Sequence, residues 1–181
     1  MSGPALRIQM FGAFRVWRGG DLIPDENWPT QKCKSLFKLL LIERGRSIPV
    51  DRILESLWTD LDPDRAQNNL WVTVSQVRRT LEPDLKARET SQYVLRSHQG
   101  YSFNTASEYW LDVDEFQEAI ETFRHASGGM ERIRAGETMR ELYQGEFLAE
   151  DPYEEWVLPA RDQFKWDYQA VLDDLAEEYA L

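Results

Sequence analysis

Leu6, Ile8 and Met10 alternate with Arg7 and Gln9, and Phe14 and Val16 continue the alternation beyond Gly12. A period of two marks a half-buried strand. Arg18-Gly19-Gly20-Asp21 reads as a turn and Leu22-Ile23 as a short third strand, so residues 5–24 predict a small antiparallel meander. The period then changes. Cys33, Leu36, Phe37, Leu40 and Leu41 predict a helix over 31–43, with Thr30 as its N-cap and Gly45 as its stop. Ile48-Pro49-Val50 is a short extended connection. Asp51 caps a second helix over 52–58, with Ile53, Leu54 and Leu57 inward. Asp62-Pro63 places a capping side chain and a proline at the start of a third helix, which ends near Glu82-Pro83. Residues 84–92 are polar and read as loop. Tyr93–Arg96 and Tyr101–Phe103 predict two strands joined through Ser97-His98-Gln99-Gly100, with Gly100 assigned to hairpin geometry.

The third helix has two unlike faces. Ala66, Leu70, Val74, Val77 and Leu81 form its apolar stripe. Arg65, Asn68, Asn69, Val72, Ser75, Gln76 and Arg79 lie opposite, and no acidic residue occurs from Arg65 to Leu81. Such side chains can read base edges in a major groove: Arg on guanine, Asn or Gln on adenine, an apolar group on the thymine methyl. The same residues also suit the solvated face of an ordinary core helix, and the helix alone does not choose.

From Asp112 the pattern is helical. Val113, Phe116, Ile120 and Phe123 give one helix, broken at Ser127-Gly128-Gly129. Ile133, Met139, Leu142 and Tyr143 give a second, ending at Gly145. A third starts near Glu155, with Phe164, Tyr168, Val171, Leu172, Leu175 and Tyr179 in phase. This pattern is still running at Leu181, which suggests a piece of a longer helical domain. Asp112, Asp114 and Glu115 fit helix capping and the dipole at an N-terminus better than a cation site. Trp28, Trp58, Trp71, Trp110, Trp156 and Trp166 read as core or domain-interface residues.

Charge changes the picture. The chain of 181 residues carries a net −11, but residues 1–105 hold 15 basic and 12 acidic residues, while 106–181 hold 6 and 20. Binding of nucleic acid depends on the local field, so the acidic total counts against the back half only. The single Cys33 excludes an intramolecular disulfide and fits a reducing cytosol. The segment Met1–Phe11 lacks the basic-then-apolar pattern of a signal peptide. No apolar run approaches the ~20 residues that span a bilayer, so no membrane partner is expected. No Ser/His/Asp or Cys/His set, phosphate-cradling glycine loop or Cys/His metal cluster is present in the sequence, so neither catalysis nor a cofactor is expected.

The order of strands, three helices and a hairpin is that of a winged helix-turn-helix. Trp28, the segment KCKSLFKLLLIERGR, then VDRILESLW, DLDPDRAQNNLWVTVSQVRRTLEP and the closing GYSF resemble the OmpR/PhoB-type winged helix, and within it the SARP regulators. Leu111 to Phe116 (LDVDEF), Tyr143 to Leu148 (YQGEFL) and Trp156 with Arg161 resemble the bacterial transcriptional activator domain that follows the winged helix in that family. The resemblance implies an α+β winged helix over 1–105 and an all-α, TPR-like helical activator domain, here incomplete, over 106–181.

It also implies site residues. The third helix enters the major groove through Asn68, Val72, Ser75, Gln76 and Arg79, with Thr73 beside them and Arg78 on the flank toward a phosphate or an acidic neighbour. The hairpin is the wing, with Arg96 and His98 toward the minor groove or backbone. Lys32, Lys34, Arg44 and Arg46 hold phosphates. The expected partners are double-stranded promoter DNA with direct-repeat or tandem half-sites, RNA polymerase, and further copies of the chain, in a bacterial cytoplasm. The expected charge supports about 3–5 phosphate contacts per copy, which favours binding by pairs. The alternative is a protein-interaction module that keeps the winged-helix fold without binding DNA.

Overall fold

The computed structural model describes residues 5–179. Residues 1–4, part of the segment read as lacking a leader, and 180–181, at the end of the continuing helical pattern, lie outside the described residues. Along the chain run β1 (Leu6–Gln9), β2 (Arg15–Arg18), β3 (Asp21–Leu22), a 3-10 turn at Asp25–Asn27, α1 (Gln31–Ile42), β4 (Ile48–Pro49), α2 (Val50–Leu57), α3 (Pro63–Leu81), β5 (Val94–Arg96), β6 (Gly100–Phe103), β7 (Tyr109–Leu111), α4 (Asp112–His125), α5 (Gly129–Leu142) and α6 (Leu158–Tyr179). No helix among the described residues is long and apolar enough to cross a membrane.

The chain forms two compact units, Asp21–Glu108 and Met1–Gly20 with Tyr109–Leu181. The first two strands, expected to join the three-helix unit, instead join the helical back half. The cause is β7, which the sequence pattern does not reveal. Central β1 pairs antiparallel with β2, and parallel with β7 through Leu6↔Tyr109 and Ile8↔Leu111. A three-residue strand whose partner lies far away in the chain leaves no periodic trace.

Within this unit, Asp112 accepts hydrogen bonds from the backbone N–H of Met10 (2.8 Å) and Phe11 (2.9 Å) while 1% exposed. It therefore ties the start of α4 to the end of β1 in place of the expected capping: Leu111 precedes the first turn, with no side-chain cap bond. The segment after α5 docks on the same strand end: Leu148 donates to Met10 O (2.8 Å) and Gly12 to Glu146 O (3.0 Å). A Cβ on Gly145 would lie 3.1 Å from Gly12 Cα, so the two chains approach backbone to backbone there. Phe11, Phe116, Tyr143, Phe147 and Phe164 fill the core beneath, with ring centroids 4.8–6.0 Å apart. α4 packs on α5, and α5 on α6.

In the other unit the caps are as expected at two helices. The Thr30 hydroxyl accepts from Cys33 N–H (3.3 Å) and the Asp62 carboxylate from Arg65 N–H (3.1 Å). Pro49, not Asp51, precedes the first turn of α2, and Asp51 lies inside that turn. Leu36, Phe37, Leu40 and Leu41 of α1 and Leu70 and Val77 of α3 are fully buried. Each contributes about 1.5–3 kcal/mol by leaving water. β4, β6 and β5 form a three-stranded antiparallel sheet, so the expected connection at 48–49 is a strand of the wing. Two tryptophans depart from expectation: Trp166 is 69% exposed and Trp71 47%. Their helical phase places them off the buried arcs of α6 and α3.

Candidate nucleic-acid interface

α3 owes its orientation to its apolar stripe: Ala66, Leu70, Val74, Val77 and Leu81 are at most 2% exposed. This burial turns Asn68, Asn69, Val72, Ser75 and Arg79 to the surface. Of the positions named in the sequence, these outer residues share one face. Three others are placed differently.

Thr73 is buried, on the flank of the apolar stripe, and does not reach the outer face. Gln76 is half-buried, and its Oε1 accepts from the Cys33 thiol of α1 (3.2 Å). Its amide NH2 makes no hydrogen bond among the described residues. Arg78 donates from Nε (3.1 Å) and Nη2 (2.9 Å) to the Val94 carbonyl. Its guanidinium clamps β5 to α3 and so fixes the wing beside the outer face.

The wing itself is short. The Ser97 N–H donates to Gly100 O (2.9 Å), and the Ser97 hydroxyl accepts from Gly100 N–H (3.1 Å). Arg96, 5.9 Å above the Tyr101 ring, and His98 are exposed on it. Tyr93, just before β5, stays protonated beyond its ordinary value of 10: burial raises it first, and Glu82 and Glu108 add to the effect.

The basic residues expected on phosphates are largely committed elsewhere. Lys34 is 7% exposed and paired with Asp25 at 2.7 Å. Its stem lies inside the unit because α1 turns that face inward, so it is not presented to a phosphate. Lys32 donates to the Leu57 carbonyl and lies 5.9 Å from the Trp58 ring. Arg44 donates to Leu41 O (3.1 Å), and Arg46 pairs with Glu43 (3.2 Å). The transfer of Arg7, Arg15 and Arg18 to the other unit also matters. Residues 21–108 hold twelve Lys and Arg against thirteen Asp and Glu, a net −1 and not a basic half. Lys34→Ala is expected to cost about 1–2 kcal/mol of stability through lost stem packing and pairing, read as a lower urea midpoint. It should leave the salt dependence of duplex binding unchanged; a reduced salt slope would return Lys34 to the interface.

Comparison with known proteins places this geometry. Residues 26–103 match the family described as transcriptional regulatory protein, C terminal. This is the OmpR/PhoB-type domain. The chain is 26% identical over 151 residues to the regulatory protein AfsR of Streptomyces coelicolor, covering 82% of this chain and 14% of that protein. AfsR of Streptomyces griseus is 25% identical over the same length and coverage.

Residues 26–103 match this family, and the chain resembles SARP-type regulators.

The fold of Mycobacterium tuberculosis EmbR, solved in complex with a low affinity phosphopeptide, matches 97% of this SARP-like chain with a TM-score of 0.80 at 20% identity, covering 45% of the EmbR chain. The chain thus spans about one-seventh of the length of the curated relatives it matches. The regulatory domain contains α1, α2, α3 and the β4-β6-β5 sheet, while β1, β2 and β7 lie outside the matched residues.

Proposed function

We propose that this SARP-like chain regulates transcription by placing the outer face of α3 in the major groove of promoter DNA. The observation that carries the reading is the face itself. Asn68, Ser75 and Arg79 present free donors around exposed Val72 on a helix with no acidic residue from Arg65 onward, and Arg78 holds the wing alongside. Arg96 and His98 then meet the adjacent backbone or minor groove. With a unit charge near zero, phosphate contacts are few, and repeated half-sites bound by more than one copy supply the affinity. In this reading DNA binding falls to the unit 21–108, and activation to the unit that joins the first two strands to the helical back half. The α4–α5 and α5–α6 pairs serve as TPR-like hairpins that contact further copies or RNA polymerase in a bacterial cytoplasm. It involves no catalytic step, cofactor or membrane.

The test is selection of duplexes from a random pool, followed by fluorescence anisotropy at two salt concentrations. Arg79→Ala is expected to lose about 10–100-fold of discrimination at one base pair. Absence of binding to any duplex at low salt overturns the reading and favours a protein-interaction module.

A further inference from the structure

At the C-terminal end of the outer face, a small cavity of about 140 Å³ opens between α3 and the loop that follows it. That volume is room for about four or five waters. Ser75, Arg78 and Arg79 line it from the helix, and Lys86, Arg88 and Glu89 from the loop. We propose that this cavity binds one backbone phosphodiester of duplex DNA, with the loop residues Lys86 and Arg88 as its cations beside the base-reading Arg79. The inference rests on the DNA-binding reading above and deepens it.

Charge carries the argument first. In a chain of net −11, four basic residues and one acidic residue surround one concave site. No ion pair or side-chain hydrogen bond among the described residues uses Arg79, Lys86 or Arg88, whereas Lys34, Arg46, Arg52 and Arg65 are each paired with a carboxylate. Cations at a helix C-terminus are also favoured by the helix dipole, which accounts for Arg78 and Arg79. It does not account for Lys86 and Arg88, which lie off the helix.

The loop is also built to hold them. The Glu82 carboxylate accepts from the Ser91 hydroxyl and the Gln92 N–H (3.0 Å), closing its ends. Lys86 N–H donates to the Glu89 carboxylate (2.9 Å) and Glu89 N–H to Lys86 O (3.1 Å), locking the turn. Arg88 sits at φ 74°, a conformation that glycine adopts at no cost. An arginine held there keeps its charge at the cavity despite the strain.

The experiment uses the full chain and a selected duplex. Lys86→Ala combined with Arg88→Gly removes both loop cations, and glycine preserves the positive φ. The slope of log K against log salt is expected to fall by about 0.9 for the lost phosphate contact, with equal weakening on every duplex. Glu89→Gln keeps the acceptor for Lys86 N–H, removes the negative charge and is expected to tighten binding severalfold. An unchanged slope in the double variant overturns the proposal while leaving the DNA reading intact. Failure of the parent chain to bind any duplex overturns both. Inorganic phosphate alone serves as the last arm: if it shifts the amide resonances of residues 86–89 and the duplex does not, the site takes free phosphate and the proposal falls.

Discussion

Gly100→Ala is expected to displace the wing and to destabilise its unit by about 3 kcal/mol or more. An added Cβ would lie 1.7 Å from the Ile48 carbonyl oxygen, 2.6 Å from its carbon and 3.0 Å from Pro49 Cα. All three are backbone atoms, so no side chain can swing aside. The antiparallel pair of β4 and β6, Ile48↔Tyr101 and Pro49↔Gly100, has to separate. With it go the Val50 N–H bond to Gln99 O (3.2 Å) and the burial of Ile48 and Tyr101, now 2% and 3% exposed. The loss should appear as a lower urea midpoint and as lost hydrogen-exchange protection at Tyr101 and Phe103. Arg96 and His98 move with the strand ends, so duplex binding should weaken too. Wild-type protection in this variant would show that the wing tolerates a side chain at the crossing. Gly100 was legible in the sequence as a special position, but its reason was not. Its dihedral is not in the glycine-only region; another strand crosses where its side chain would be.

Arg161→Ala is expected to cost the helical unit about 3–5 kcal/mol, comparable to breaking a buried pair. The guanidinium is 7% exposed and donates to the carbonyls of Phe147 (2.8 Å), Leu148, Asp151 (3.0 Å) and Pro152 (3.4 Å). One fork therefore holds the segment between α5 and α6 in place. Phe147 and Leu148 are themselves buried, and a carbonyl that loses its partner there costs about 1–3 kcal/mol. The same segment bonds to Met10 and Gly12, so faster exchange at the Leu148 and Gly12 amides should accompany the drop in thermal midpoint. Arg161→Lys keeps the charge without the planar fork and should recover only part of the loss. A midpoint equal to that of the parent would remove Arg161 from this role.

Much of the architecture was legible because it is local. The alternation at Leu6, Ile8 and Met10, the caps at Thr30 and Asp62, and the stripe of α3 each follow from residues within a few positions. The site was legible only as a direction. Helical phase turned Asn68, Val72, Ser75 and Arg79 outward, since burying one face leaves the other exposed. It could not show that Gln76 leans on Cys33, or that Arg78 is spent on Val94. Nor could it show that Lys34 is paired with Asp25 inside the unit. Lys86 and Arg88 went unnoticed in a stretch read only as polar loop. Their relevance comes from sharing a cavity with Ser75 and Arg79, and sequence spacing carries no trace of that.

The sequence by itself determined the helices, the outer face of α3 and the winged order of elements, because periodicity and capping act over one or two turns. Only the tertiary structure decided which unit owns β1 and β2, which basic residues remain free, and why Gly100 must lack a side chain. Those outcomes depend on pairings between distant segments, where a three-residue strand, a lone carboxylate or one carbonyl oxygen settles the issue. Such partners are set by packing in space, and no local pattern along the chain encodes them.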